Sequence, residues 1–151
     1  MVECETLREG KIMTVYESNN EKETFDIGYQ LAVASKKGAI YCLIGDLGVG
    51  KTVFSKGFAT GLGITEPITS PTFTIVQVYE GDKPLYHFDM YRIEDPDELE
   101  MIGYEDYFYG EGVCLVEWAN NVLDVIPKEA IWIDIQKDLE KGFDYRKITI
   151  R

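Results

Sequence analysis

One loop constrains this chain more than any other feature: Gly45-Asp46-Leu47-Gly48-Val49-Gly50-Lys51-Thr52. It fits G-x-x-x-x-G-K-[ST] at every fixed position. At ordinary residue frequencies a chain of this length matches that pattern by chance about once in two hundred. Its flanks agree with it. Ala39 to Ile44 is a continuous apolar run of strand length, the mark of a buried parallel strand. About Lys51 to Leu62 reads as a helix, with Val53, Phe54, Phe58 and Leu62 as its apolar positions and Gly61 and Gly63 as stop signals. Glycines let the backbone curl so that successive N–H groups point at phosphate oxygens. The helix that follows adds its positive end. Lys51 reaches the β- and γ-phosphates as a point charge, and the Thr52 hydroxyl suits Mg²⁺. The chemistry implied is a nucleoside triphosphate with Mg²⁺, gripped by residues 45–52 and by Val53 in the first helical turn.

Such a loop needs a carboxylate for the cation or its waters, and two acids end short apolar runs. Val113-Cys114-Leu115-Val116 leads to Glu117, and Leu85-Tyr86-His87-Phe88 leads to Asp89. The expectation is that Glu117 helps hold Mg²⁺ and that Asp89 orients water or the metal shell; with Lys51 they form the candidate catalytic set. Ser70-Pro71-Thr72-Phe73-Thr74 has the character of a switch, with the Thr72 and Thr74 hydroxyls available to sense a γ-phosphate and Pro71 stiffening the entry. Read alone, the same segment is the start of a strand. His87, the single histidine, is not expected to bind metal, for want of a second ligand. Arg92 suits either phosphate charge or an ion pair with Glu94 or Asp95. Trp118, next to Glu117, reads by default as core, with packing beside the site as the alternative.

The remaining pattern is α/β. Met13 to Tyr16 is a short strand, and residues 1–12 are expected to be a flexible extension of a single domain, 1–151. Glu21 to Ser35 is a helix, started by Asn20 with Glu23 in a capping-box arrangement and ended by Lys36-Lys37-Gly38. Thr72 to Tyr79 and Leu85 to Asp89 flank a Glu80–Pro84 turn as a hairpin. Asp95 to Met101 and Glu105 to Tyr109 read as short helices, and Ile131 to Ile135 and Ile148 to Ile150 as late antiparallel strands. No apolar run is long enough to cross a membrane, and the acidic start Met1 to Lys11 has no apolar core of a secretory signal. Three cysteines, Cys4, Cys42 and Cys114, suit no disulfide framework and favour the cytoplasm.

Charge restricts the partners. Twenty-seven acids against fifteen bases leave −12, which disfavours tight nucleic-acid or anionic-membrane binding. Eleven acids and two bases fall between Glu80 and Glu111, as either a solvated face or a docking surface for a basic partner. The guanine motif N-K-x-D and the D-x-x-G switch of GTPases are missing, and four arginines give thin support to a phosphate-transferring kinase. A small ATPase that drives or times a partner remains, with a small-molecule phosphotransferase as the alternative.

The loop together with Ser70-Pro71-Thr72-Phe73-Thr74, His87-Phe88-Asp89-Met90-Tyr91-Arg92 and Leu115-Val116-Glu117-Trp118, in that order, resembles the bacterial TsaE (YjeE) family. The similarity spans roughly residues 18 to 150. The resemblance implies a P-loop fold with a mixed, mostly parallel central sheet and antiparallel late strands. It implies ATP and Mg²⁺, with Lys51 and Thr52 on phosphate and metal, Glu117 on metal, Asp89 needed for hydrolysis, Thr72 and Thr74 in the switch, and an adenine contact near Glu21 to Thr24. It also implies work with TsaD and TsaB in tRNA threonylcarbamoyladenosine synthesis, the transfer itself belonging to TsaD. With no arginine finger in evidence, turnover is expected to be slow without partners.

Overall fold

A computed structural model describes residues 2–8, 11–46 and 48–151, with residues 2, 3, 6–8 and 11 described by their backbone alone. Eight strands form one sheet: β1 (Val2–Arg8), β2 (Lys11–Ser18), β3 (Ile40–Ile44), β4 (Val76–Tyr79), β5 (Leu85–Asp89), β6 (Val113–Glu117), β7 (Ile131–Lys137) and β8 (Arg146–Ile150). Their order is β1-β2-β8-β7-β3-β6-β5-β4. The four central strands, β7, β3, β6 and β5, run parallel, and every pairing outside them is antiparallel. The mixed sheet with a parallel centre is the expected fold class.

Period-2 alternation divides the core between the two faces. Tyr41, Leu43, Leu115 and Ile133 join Phe54 and Phe58 on one side, under α1 (Glu21–Val33) and α2 (Lys51–Gly61). Ile40, Cys42, Cys114 and Val116 face the other way, under α3 (Asp97–Met101), α4 (Tyr104–Phe108) and a 3₁₀ segment, Ala119–Val125. Burying each large apolar side chain contributes about 1.5–3 kcal/mol, and Phe54 and Phe58 are fully enclosed. α1 and α2 cross backbone to backbone. A Cβ on Gly57 would collide with the Phe25 carbonyl of α1, and one on Gly28 would collide with the Phe54 carbonyl of α2.

The caps show how the helices are placed. The Glu23 N–H donates to Asn20 Oδ1 (2.8 Å), as the capping box requires, but the returning Glu23 carboxylate accepts from the N–H of Asn19 (3.2 Å). α1 stops at Val33 with Ala34 as its cap, before Lys36-Lys37-Gly38. The positive charge at its end comes instead from Lys83, in the turn between β4 and β5. The Lys83 ammonium donates to the carbonyls of Val33 (3.3 Å) and Ser35. Gly38 (φ +84°) turns the chain into β3.

Three features depart from or add to the expectations. Within the 1–12 extension, Val2–Arg8 form β1, registered residue for residue against β2 from Val2↔Glu17 to Arg8↔Lys11, while residues 1, 9 and 10 lie outside the described residues. The strand expected from Thr72 begins only at Val76, because Ile75 takes a left-handed turn (φ +69°) closed by its N–H on the Pro71 carbonyl at 2.7 Å. The 3₁₀ segment after Trp118 has no counterpart in the sequence reading. Among the described residues no helix is long and apolar enough to cross a membrane.

Candidate functional site

The glycine loop leaves β3, in the parallel centre of the sheet, and opens α2. Gly50 at its end has φ +101°, a left-handed conformation that glycine adopts without steric cost. No side chain caps α2 here, in contrast to α1 with Asn20. The first N–H groups of α2 therefore stay available to an anion. Val49 is buried beneath the loop, and its carbonyl accepts from Arg146 Nε (2.7 Å). The same guanidinium also donates through Nη1 to the carbonyls of Phe143 (2.9 Å) and Tyr145 (2.7 Å), pinning the loop before β8 against the glycine loop. Leu47 lies outside the described residues.

A cavity of about 680 Å³ opens beside the loop, lined by Gly48, Gly50, Lys51, Thr52, Ser70, Thr72, Asp89, Tyr91, Glu117 and Trp118. It brings Lys51, Thr52, Thr72, Asp89 and Glu117 together from four separate stretches of chain. Register explains the two carboxylates: Asp89 and Glu117 are direct partners at the ends of the parallel strands β5 and β6. Crevices at the carboxyl ends of parallel strands are the usual ligand sites of α/β sheets.

Asp89 is nearly buried and fully engaged. Its Oδ2 accepts from the hydroxyls of Thr72 (3.0 Å) and Ser70 (3.3 Å), and its Oδ1 accepts from the Tyr91 N–H (2.9 Å). The carboxylate thus ties the Ser70–Thr74 segment to the end of β5. Thr74 is exposed and does not line this cavity. Gly45 and Asp46 line an adjoining cavity of about 500 Å³ with Trp118, Asn120, Asp134 and Gln136. Val53 lies on the far side, in a groove with Asn20, Glu21, Thr24, Val49, Phe143 and Arg146. That groove puts the Glu21–Thr24 stretch beside the glycine loop.

Three side chains near the site make contacts that the sequence does not specify. Trp118 takes the alternative to a core position: half-buried at the end of β6 with φ +57°, it borders both larger cavities. Lys51 Nζ lies 4.9 Å above its ring, a cation–π distance, and the Tyr91 ring packs on it at 5.0 Å. Arg92 pairs with neither Glu94 nor Asp95; its guanidinium covers the exposed Phe73 ring at 4.3 Å. His87 is buried, with Nε2 3.0 Å from Glu117 Oε2. The sequence reading missed this contact, whose only signal was an i, i+2 spacing from Asp89.

The arrangement offers backbone N–H groups, an ammonium, a hydroxyl and two carboxylates around one cavity. That is a set able to hold a polyphosphate together with a hard cation. Hydroxyl and carboxylate oxygens are what Mg²⁺ accepts when phosphate and water complete its shell, so the donor set fits.

The profile of the family described as "Threonylcarbamoyl adenosine biosynthesis protein TsaE" matches residues 18–148. The tRNA threonylcarbamoyladenosine biosynthesis protein TsaE of Bacillus subtilis is 50% identical over 131 residues, covering 86% of this chain and 80% of that protein. The protein of the same name from Treponema pallidum is 40% identical over 119 residues, covering 79% and 88%. The crystal structure of Bacillus subtilis YdiB superposes with a TM-score of 0.78 at 42% identity, covering 91% of this chain and 84% of that one.

Proposed function

The chain belongs to the TsaE family, and from that premise we propose that it is a magnesium-dependent ATPase of the cytoplasm that supports threonylcarbamoylation of tRNA adenosine. It does so through a TsaD–TsaB complex and does not carry out the transfer. One observation carries the reading: Lys51, Thr52, Asp89 and Glu117 converge on one cavity at the ends of β3, β5 and β6.

In this reading the loop amides and Lys51 bind the phosphates, and the Trp118 ring beneath Lys51 limits where its ammonium can go. Thr52 and Glu117 would hold Mg²⁺, which when bound neutralises charge on the β- and γ-phosphate oxygens. Asp89 positions the attacking water and releases or retains Thr72 and Ser70 according to what occupies the cavity. The groove at Glu21–Thr24 receives the adenine end. Among the described residues lining the main cavity there is no arginine, which supports slow turnover alone, with a partner supplying or remodelling what is missing.

The test is phosphate release from Mg-ATP by the protein alone and with TsaD and TsaB, with Lys51→Ala as the blank. Stimulation by the partners that disappears in the Lys51 variant is the expected result. Equal rates with and without an assembled complex would discard the partner-driven role, and transfer of phosphate to a small acceptor would favour the phosphotransferase alternative.

A further inference from the structure

His87 is the buried polar side chain whose presence the reading above leaves unexplained. It sits on β5 among fully enclosed residues, between Leu85 and Phe88 on the strand and in register with Leu115 on β6. An apolar side chain would fill the same space without losing hydration. The imidazole instead leaves Nδ1 buried with no hydrogen-bond partner among the described residues, a loss of the kind that costs about 1–3 kcal/mol. Buried unsatisfied groups in native folds call for an explanation.

Its one polar contact supplies it. The two strands run parallel with Asp89 opposite Glu117, so His87, two residues before Asp89, lies diagonally below the Glu117 carboxylate and on the same face. Nε2 reaches Glu117 Oε2 at 3.0 Å. An ionised carboxylate only accepts, so Nε2 carries the hydrogen and donates. One carboxylate oxygen is held from beneath, and Glu117 still borders the cavity that also holds Thr52.

We propose that His87 is a positioning residue: its Nε2–H fixes the Glu117 carboxylate so that the remaining oxygen is presented to a divalent cation beside Thr52. The inference rests on reading Glu117 as a metal residue. Outer hydrogen bonds of this kind orient a metal-binding carboxylate, and their loss typically weakens metal affinity about 10–100-fold.

Mn²⁺ binding in the presence of ADP, followed by electron paramagnetic resonance, tests the proposal without relying on turnover. His87→Leu keeps an apolar body and removes the donor; the expected result is at least about tenfold weaker Mn²⁺ binding, with metal-free ADP affinity within twofold of the parent. His87→Gln, whose amide nitrogen reaches close to the position of Nε2, should restore most of the loss. A purely structural histidine would not show that recovery. If the leucine variant does not fold, His87→Asn replaces it, since its shorter amide cannot span to Glu117. Parent-like Mn²⁺ affinity in the donor-less variant overturns the proposal. Glu117→Ala separates the two levels. If it too binds Mn²⁺ like the parent, the assignment of Glu117 to the metal fails; if it alone weakens binding, only the role of His87 fails.

Discussion

Substituting Gly57 by alanine should destabilise the protein although the change adds one methyl group and improves helix propensity. The new Cβ would be driven against the carbonyl of Phe25, 2.8 Å from its carbon and 3.0 Å from the Phe25 Cα. Carbon atoms in packed interiors sit about 3.5–4.0 Å apart. The obstacle is backbone on both sides, so no rotamer change relieves it, and because the Phe25 carbonyl oxygen is the closest atom the two helices must separate by roughly 1 Å. Parting them also loosens the reciprocal seam at Gly28. Overpacking of this type costs about 1–3 kcal/mol, here at the upper end, and alanine's helix propensity returns about 1 kcal/mol. The net is about 2 kcal/mol, or a Tm lower by about 4–8 °C for a domain this size. Thermal unfolding by circular dichroism reads it, with Thr60→Ala as a control. Thr60 is exposed on the same helix, so that variant gains propensity without a collision and should melt close to the parent. A Gly57→Ala protein that melts at or above the parent would refute the idea that α1 and α2 meet through glycine.

Two further outcomes follow from the geometry. Burial pushes the thiols of Cys42 and Cys114 up to about 12, while Cys4 is exposed. One thiol per chain should therefore react with a disulfide reagent at pH 8 in the folded protein and three after unfolding; rapid native modification of more than one would contradict the packing of β3 and β6. Asp89→Asn keeps shape but weakens the acceptor shared by Ser70 and Thr72. It should leave nucleotide affinity within a few-fold and lower hydrolysis by about 10²-fold or more, checked by calorimetry and phosphate release, and unchanged turnover would remove Asp89 from the chemistry.

The sequence reading reached what is local and stopped where contacts are long-range. The glycine loop, Asn20 capping Glu23 and the apolar run into Glu117 are each legible because neighbouring residues decide them. The pairing of Asp89 with Glu117 needed the register of β5 on β6, which spacing along the chain does not contain. The bond from His87 to Glu117 depends on the same register, across thirty positions of sequence. β1 escaped notice because a strand at the sheet edge needs only a neighbour with free backbone groups, and β2 provides them whatever the side-chain pattern. The late start of β4 follows from Ile75, a β-branched residue held at a positive φ that residue preferences oppose. The parallel centre and an antiparallel β8 are both legible in the apolar runs, but β7, read as a late antiparallel strand, also pairs parallel with β3, which the pattern does not show.

The lysine at the end of α1 has a bearing on the order of folding. The start of that helix is finished by its own neighbours, Asn19 and Asn20, and can form as soon as the segment does. Its last carbonyls wait for Lys83, some fifty residues further on and present only once the β4–β5 turn is built. The helix is thus nucleated locally and completed remotely, and its final turn belongs to the cooperative unit of the sheet. Amide exchange near Ser35 should follow the opening of that turn, while the first turn of α1 answers to its own cap.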